Sequence, residues 1–237
     1  MMHYELYHTD SYLREMDAIV TRAEEDRVVL DRTVFYAQGG GQLADQGVLS
    51  WAGRTARVVD VRRVEDVVWH FIEGAVPAVG TPVHGTLDWE RRYALMRTHT
   101  ATHILNGVIW RDYGALVTGA AVEVGHGRLD FELERMSLEF AAEVEARINA
   151  EVDADRLVQA RFLPRAEVFA TPGLVRSKWV APPEGVTEVR VVEIVGLDMQ
   201  ADGGTHVART SEVGRIRVVG HESKGRMNKR LRIALDV

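Results

Sequence analysis

The chain contains no cysteine in 237 residues. That excludes disulfide frameworks, thiolate zinc knuckles, iron–sulfur clusters and cysteine nucleophiles together. No stretch approaches the ~18 consecutive apolar residues of a membrane span, so no membrane association is expected. The start, Met1-Met2-His3-Tyr4-Glu5-Leu6, lacks the basic and apolar regions of a signal peptide, which makes the cytoplasm the expected compartment. There is no internal repeat and no low-complexity segment. Nor is there an excess of positive charge: 29 Lys and Arg against 35 Asp and Glu leave a net −6, unlike a general nucleic-acid binder. Hydrophobic residues make up 46% and charged residues 27%, the balance of a globular chain. At ~150 residues per domain the length fits one large or two small domains.

The distribution of charge says more than its sum. From Arg209 to Arg232 eight basic residues face only Glu212 and Glu222, a local +6 on an otherwise acidic body. Such a stripe suits a polyanion that touches one face, and it also suits a solvated strand pair.

Residues 1 to 88 are predicted as a small β-barrel domain. Val28-Val29-Leu30, Thr33-Val34-Phe35-Tyr36, Arg57 to Val61 and Val67 to Ile72 are short β-branched or aromatic runs, separated by turn signals at Glu24-Glu25-Asp26, Trp51-Ala52-Gly53 and Gly80-Thr81-Pro82. The pattern changes at Asp88-Trp89-Glu90-Arg91, where Asp88 is a good N-cap. The helix that follows, to Ile109, can bury Leu95, Ile104, Leu105, Val108 and Ile109, with Met96, His99, His103 and Trp110 along a neighbouring face. A second helix is predicted from Ser137 to Ala154, burying Leu138, Ala141, Ile148 and Val152. Strands are expected to return at 157–162, 188–195, 215–219 and 230–235. The fold class is therefore α+β, with residues 89–237 forming helices packed on a mainly antiparallel sheet.

His99-Thr100-Ala101-Thr102-His103 places two imidazoles one helical turn apart, able to converge on one ion. The spacing resembles the zincin motif, but no glutamate lies between the histidines, so a protease would lack its general base. Far downstream, Asp202-Gly203-Gly204-Thr205-His206 flanks two glycines with a carboxylate and an imidazole that a tight turn can aim at one point. Three histidines and one aspartate make an all-protein tetrahedral site for a zinc-class metal.

Arg97 to Leu105 and Met199 to Val207 resemble the paired metal motifs of the editing domain found in alanyl- and threonyl-tRNA synthetases and in the free-standing AlaX alanyl-tRNA editing proteins. Thr33-Val34-Phe35-Tyr36-Ala37-Gln38-Gly39-Gly40-Gly41-Gln42 and the residues to Gly47 resemble the glycine-rich motif of the alanyl type. Lys224-Gly225-Arg226-Met227-Asn228-Lys229-Arg230-Leu231-Arg232 resembles its closing basic strand. The four segments follow the family order over nearly the whole chain, and no aminoacylation domain precedes them, so the expected match is the free-standing form with its N-terminal barrel. One position departs: the family usually has cysteine where this chain has Asp202. A Gly-Gly-Gln tripeptide also occurs in peptide release factors, but those loops are basic, whereas Leu43-Ala44-Asp45-Gln46 follows here.

The resemblance implies a hydrolase that deacylates mischarged tRNA(Ala), chiefly seryl-tRNA(Ala), with glycyl-tRNA(Ala) as a second substrate. It implies a Zn2+ ion held by His99, His103, Asp202 and His206, with a metal-bound or metal-adjacent water doing the hydrolysis and no side-chain base. Thr33 is the implied partner of the serine side chain, and Gln42 would hold the substrate near the ester. Lys224, Arg226, Lys229 and Arg230 would contact phosphates of the tRNA(Ala) acceptor end. No stable protein partner is expected. The alternatives are editing of a different aminoacyl-tRNA and a catalytically silent paralogue that binds tRNA or metal.

Overall fold

The structure, a computed structural model, describes residues 4–175 and 185–236. The opening Met1-Met2-His3 of the leader reading lies outside the described residues. The chain divides into two compact units, Met1–Tyr93 and Ala94–Val237.

In the first unit β1 (Tyr4–Glu5) precedes β2 (Glu15–Ala23), β3 (Arg27–Leu30), β4 (Arg32–Thr33), β5 (Gly47–Trp51), β6 (Arg54–Val64), β7 (Val67–Glu73) and β8 (Pro82–Leu87). Six of these close into a barrel in the order β2-β3-β7-β6-β5-β8, and every pairing around it is antiparallel. In β2, Met16, Ala18 and Val20 point inward and alternate with the exposed Glu15, Asp17 and Ile19, the period a half-buried strand requires. With Leu30, Phe35, Leu49, Val58, Val61 and Val68 they form the barrel core.

The segment Thr33 to Tyr36 departs from its predicted strand. Only Arg32–Thr33 pairs, in parallel with β1, and Val34 to Tyr36 form a buried bend. Side chains capture the backbone groups that a ladder would use. Val34 N–H donates to Met16 Sδ (3.2 Å), Phe35 N–H to Thr33 Oγ1 (3.0 Å) and Tyr36 N–H to Asp45 Oδ2 (2.6 Å), while Arg92 Nη2 donates to the Val34 carbonyl (2.5 Å). Polar side chains thus satisfy a non-strand backbone inside the core.

Helix α1 (Trp89–Tyr113) starts in the first unit and carries the first histidine pair in the second. Asp88 caps it, Oδ1 accepting from Arg91 N–H at 3.1 Å. It runs one turn beyond the predicted end, and all five residues of its expected apolar stripe are buried. The second unit continues with β9 (Val117–Glu123), β10 (His126–Phe131), α2 (Leu138–Asp153), β11 (Val158–Pro164), α3 (Arg165–Ala170), β12 (Glu188–Ile194), β13 (Asp198–Ala201), β14 (Ile216–Gly225) and β15 (Asn228–Leu235). Two antiparallel sheets result, β14-β15-β10-β9 and β11-β12-β13. The α+β class holds, with a closed barrel first. Ser137 caps α2 as its sequence suggests, accepting from Phe140 N–H, and Ala141, Ile148 and Val152 are buried. Leu138 is not: it is 70% exposed, because it occupies the first helical position, outside the buried stripe. Among the described residues no helix is long and apolar enough to cross a membrane.

Candidate metal centre

His99, His103, Asp202 and His206 come together, each offering a ligand atom, with all four atoms within 4.8 Å of one another. The imidazole centroids stand 4.4 to 5.1 Å apart. Asp202 Oδ2 lies 3.0 Å from Nε2 of His206, and Oδ1 lies 3.6 Å from Nε2 of His99. Two donors at ~2.0–2.1 Å from a tetrahedral zinc stand ~3.3 Å apart, so these separations bracket the requirement. The residues present fit a zinc-class ion, and this group could hold one.

The ring orientations are set from outside. His103 Nδ1 faces Asp198 Oδ2 at 3.1 Å, and a carboxylate can only accept, so Nδ1 carries the proton and the ring's lone pair falls to Nε2. Gln200 Nε2 donates to the same oxygen (2.7 Å), and Asn106 Nδ2 donates to Gln200 Oε1 (2.8 Å). His206 Nδ1 meets Thr100 Oγ1 at 3.1 Å, which turns its Nε2 towards Asp202. Gly107 makes this bracing possible. A Cβ there would stand 2.9 Å from Leu197 Cγ and 3.0 Å from Asp198 Cβ, so only glycine lets α1 pass the β13 turn this closely. The Asp202-Gly203-Gly204 turn needs no left-handed backbone: Gly204 N–H closes it on Asp202 Oδ2 at 2.7 Å.

Burial disfavours charge on the imidazoles, pushing His99 well below the ordinary histidine range and His206 down to about 4. Neutral imidazoles are what a metal needs near neutral pH. Burial works against the charge of Asp202 too, but His99 and His206 beside it hold its carboxyl well below the usual range.

Thr33 and Gln42 belong to the first unit and are both buried. Thr33 Oγ1 sits 2.8 Å from His70 Nε2 and accepts from Phe35 N–H. Gly39 and Gln42 exchange both backbone hydrogen bonds, closing a tight turn in which Gly40 (φ 57°) and Gly41 (φ 90°) take the left-handed backbone that glycine tolerates. Lys224 and Arg226 are exposed near the β14–β15 turn. Lys229 and Arg230 have partners within the fold. The Lys229 ammonium donates to the Gly225 and Arg226 carbonyls (2.5 and 2.9 Å), and Arg230 forms a two-point pair with Asp130, directly across the ladder (2.6 and 2.7 Å). Arg209 is likewise paired, with Asp155 outside the stripe, so the stripe is less positive than its sequence count, while Arg232 pairs with Glu222 inside it.

Sequence reasoning missed Asp198, Thr100, Gln200 and Arg190. Asp198 left one signal: it is a carboxylate close in sequence to a proposed ligand, and a carboxylate is a group that ligand histidines commonly use as a bracing partner.

A closed barrel followed by an α+β unit with three buried histidines and a half-buried aspartate drawn together matches an identifiable class. A family model described as "tRNA synthetases class II (A)" matches residues 7–91, and one described as "Threonyl and Alanyl tRNA synthetase second additional domain" matches residues 189–232. The alanyl-tRNA editing protein AlaX-M of Saccharolobus solfataricus is 37% identical over 96% of this chain and 96% of its own length. That of Methanosarcina barkeri is 36% identical over 97% of this chain and 98% of its own length. The alanine–tRNA ligase of Pyrobaculum neutrophilum is 43% identical over 90% of this chain, which spans only 25% of that ligase. The chain belongs to the AlaX-M family of alanyl-tRNA editing proteins.

Proposed function

We propose that this protein removes the wrong amino acid from mischarged tRNA(Ala) by ester hydrolysis, chiefly from seryl-tRNA(Ala), with glycyl-tRNA(Ala) as a second substrate. The observation that carries this reading is the converged donor set of His99, His103, Asp202 and His206, its histidines buried and its aspartate half-buried, braced from outside, in a chain matching AlaX-M proteins over nearly its whole length. The need is physical. A pocket built for alanine rejects a small added hydroxyl by only ~100-fold, so a second site must apply a different test.

His99, His103, Asp202 and His206 would hold the ion, with zinc as the proposed identity. A zinc-class ion bound there supplies a Lewis acid that polarises a carbonyl or acidifies a water. Asp198 and Thr100 keep the proton of His103 and the ring of His206 in place. Thr33 is the proposed reader of the serine side chain. With His70 Nδ1 facing the Val28 carbonyl (3.4 Å), Nε2 takes the Thr33 proton, and Oγ1 keeps a lone pair for a serine hydroxyl. Gln42, fixed by the glycine turn, is the proposed holder of the substrate near the ester. Lys224 and Arg226 are the proposed phosphate contacts, with Lys229 and Arg230 bracing the hairpin that presents them. Phosphate contacts of this kind position RNA without reading its sequence. The protein is proposed to work in the cytoplasm.

The deciding experiment is deacylation of seryl-, glycyl- and alanyl-tRNA(Ala) side by side, with and without a chelator. Hydrolysis of the first two that spares alanyl-tRNA(Ala) and is lost to the chelator supports the reading; no hydrolysis of any sinks it. Two narrower results should accompany it. Thr33→Val should shrink discrimination between seryl- and alanyl-tRNA by ~1–3 kcal/mol, the cost of an unpaired polar group. Unchanged discrimination removes Thr33 from the site. Reversing the charge of Lys224 and Arg226 together should weaken tRNA binding, each lost contact flattening the salt slope by ~0.7–0.9. An unaltered slope would make the hairpin tip a solvated face.

A further inference from the structure

A lone exposed apolar side chain needs no explanation, but its surroundings can supply one. Among the described residues the exposed Phe and Tyr rings are Tyr113, Phe162 and Phe169. Two of these already have a stacking neighbour. Tyr113 meets the Phe140 ring with centroids 5.1 Å apart, and the Arg165 guanidinium lies over Phe169 at 4.6 Å. Phe162, 46% exposed, has no ring or cation against it among the described residues. Its place in the sheet singles it out further. β11 is the outer strand of β11-β12-β13, and the register sets Phe162 opposite Arg190. The row continues from Arg190 to Asp202, whose N–H donates to the Arg190 carbonyl at 3.1 Å. Directly opposite residues share a face of a sheet, so Phe162, Arg190 and Asp202 point the same way. Gln200 and Asp198, two and four residues before Asp202, share that face and meet Asn106 and His103 of α1. The other face is covered by α3, whose Val168 packs with Val189 and Val191.

The Phe162 ring therefore stands on the histidine side of the sheet, two strands from a member of the cluster. At ~4.8 Å per strand that is ~10 Å across the sheet. A nucleoside esterified on its ribose has about this reach from ester to base. The amino acid and the phosphates of the substrate have proposed contacts; its terminal base has none. Any base has a flat apolar face that an open aromatic ring can take. We propose that Phe162 is the platform on which the terminal base of the tRNA acceptor end stacks while the aminoacyl ester lies at His99, His103, Asp202 and His206. This rests on the ester reading for its geometry, but binding tests it without hydrolysis.

The test is a cycle of two deletions, read as tRNA affinity at fixed salt. It uses the purified full chain and uncharged tRNA(Ala) with and without its terminal adenosine. Phe162→Leu should weaken binding of the complete tRNA by ~5–100-fold, the range of a lost base–aromatic stack. Binding of the shortened tRNA should not change, so the two losses fail to add, the mark of direct contact. Phe162→Trp should restore binding of the complete tRNA, since another flat ring serves. Phe169→Leu, on the helix that covers the other face, should change neither. Leucine keeps most of the apolar bulk at a half-exposed site, so Phe162→Leu should match the parent in melting and in zinc affinity. Equal losses with both tRNAs, or no loss with either, overturn the proposal. A Phe162→Leu protein that binds both tRNAs as the parent does but sediments as a smaller species also overturns it, assigning the ring to a contact between copies. If the coupling holds but the parent hydrolyses no aminoacyl-tRNA, only the ester reading falls. If the parent hydrolyses seryl-tRNA(Ala) and Phe162→Leu leaves both binding and kcat/KM untouched, only the stacking falls.

Discussion

Asp202→Asn is expected to lose zinc and deacylation together. Both carboxylate oxygens have assigned work: Oδ2 accepts from Gly204 N–H and lies 3.0 Å from His206 Nε2, and Oδ1 lies 3.6 Å from His99 Nε2. An asparagine has one oxygen. If its NH2 takes the Oδ2 position, donor meets donor at Gly204; if it takes the Oδ1 position, N–H groups face the ion. Neither rotamer restores the site, and the negative charge that offsets Arg190 is gone in both. The loss of zinc affinity should exceed the ~10–100-fold typical of an outer partner. Asp202→Cys, by contrast, should retain the ion, with more thiolate selectivity and less tolerance of manganese or cobalt than the aspartate gives. Chelator competition measures affinity, and deacylation is followed on the same preparations. Full activity in a verified metal-free protein would leave these four residues as a polar substrate pocket.

The second large effect is on stability. Arg92→Met should lower the melting temperature by on the order of 10 °C. Arg92 and Asp45 are both fully buried, and Arg92 Nε lies 3.0 Å from each carboxylate oxygen. The guanidinium also satisfies the carbonyls of Ser11 (2.9 Å) and Val34 (2.5 Å). Removing it strands a charge and two acceptors in the core, which typically costs ~3–5 kcal/mol. At this chain length each kcal/mol moves the melt by ~2–4 °C. Arg92→Met with Asp45→Leu should recover part of the loss, since the stranded charge goes too. A single variant melting within ~2 °C of the parent, under 1 kcal/mol by that scale, would show that the pair contributes nothing beyond filling space. Because Asp45 also takes Tyr36 N–H, the damage should reach the bend before the glycine turn.

Much of this was legible in the chain. The β-branched runs of β3, β6 and β7 with their turns announce a barrel, because half-buried strands need that composition. Asp88 and Ser137 announce helix starts, because a capping oxygen satisfies N–H groups that lie open in any helix. The spacing of His99 and His103 places both on one helical face by geometry alone, and the Asp202 to His206 segment supplies the other two members of the cluster. These are local properties, fixed by residue type and period within a few residues.

What the tertiary structure decided depends on groups far apart in sequence. Thr33 to Tyr36 has strand composition but is bent, because Met16, Asp45 and Arg92 arrive from elsewhere and take its backbone hydrogen bonds. Lys229 and Arg230 look like phosphate ligands in a basic run. The antiparallel register sets Arg230 opposite Asp130, and the hairpin turn draws in the Lys229 ammonium, so both side chains have partners inside the fold that the sequence does not announce. Asp198 becomes the brace of His103 only because Gly107 lets the helix approach. Arg190 becomes the partner of Asp202 only through pairing next to β13. Residue type and periodicity determine which side chains can do the chemistry. Long-range burial and register determine which partners those charges and hydrogen-bonding groups meet within the fold, because such contacts join residues far apart in the chain.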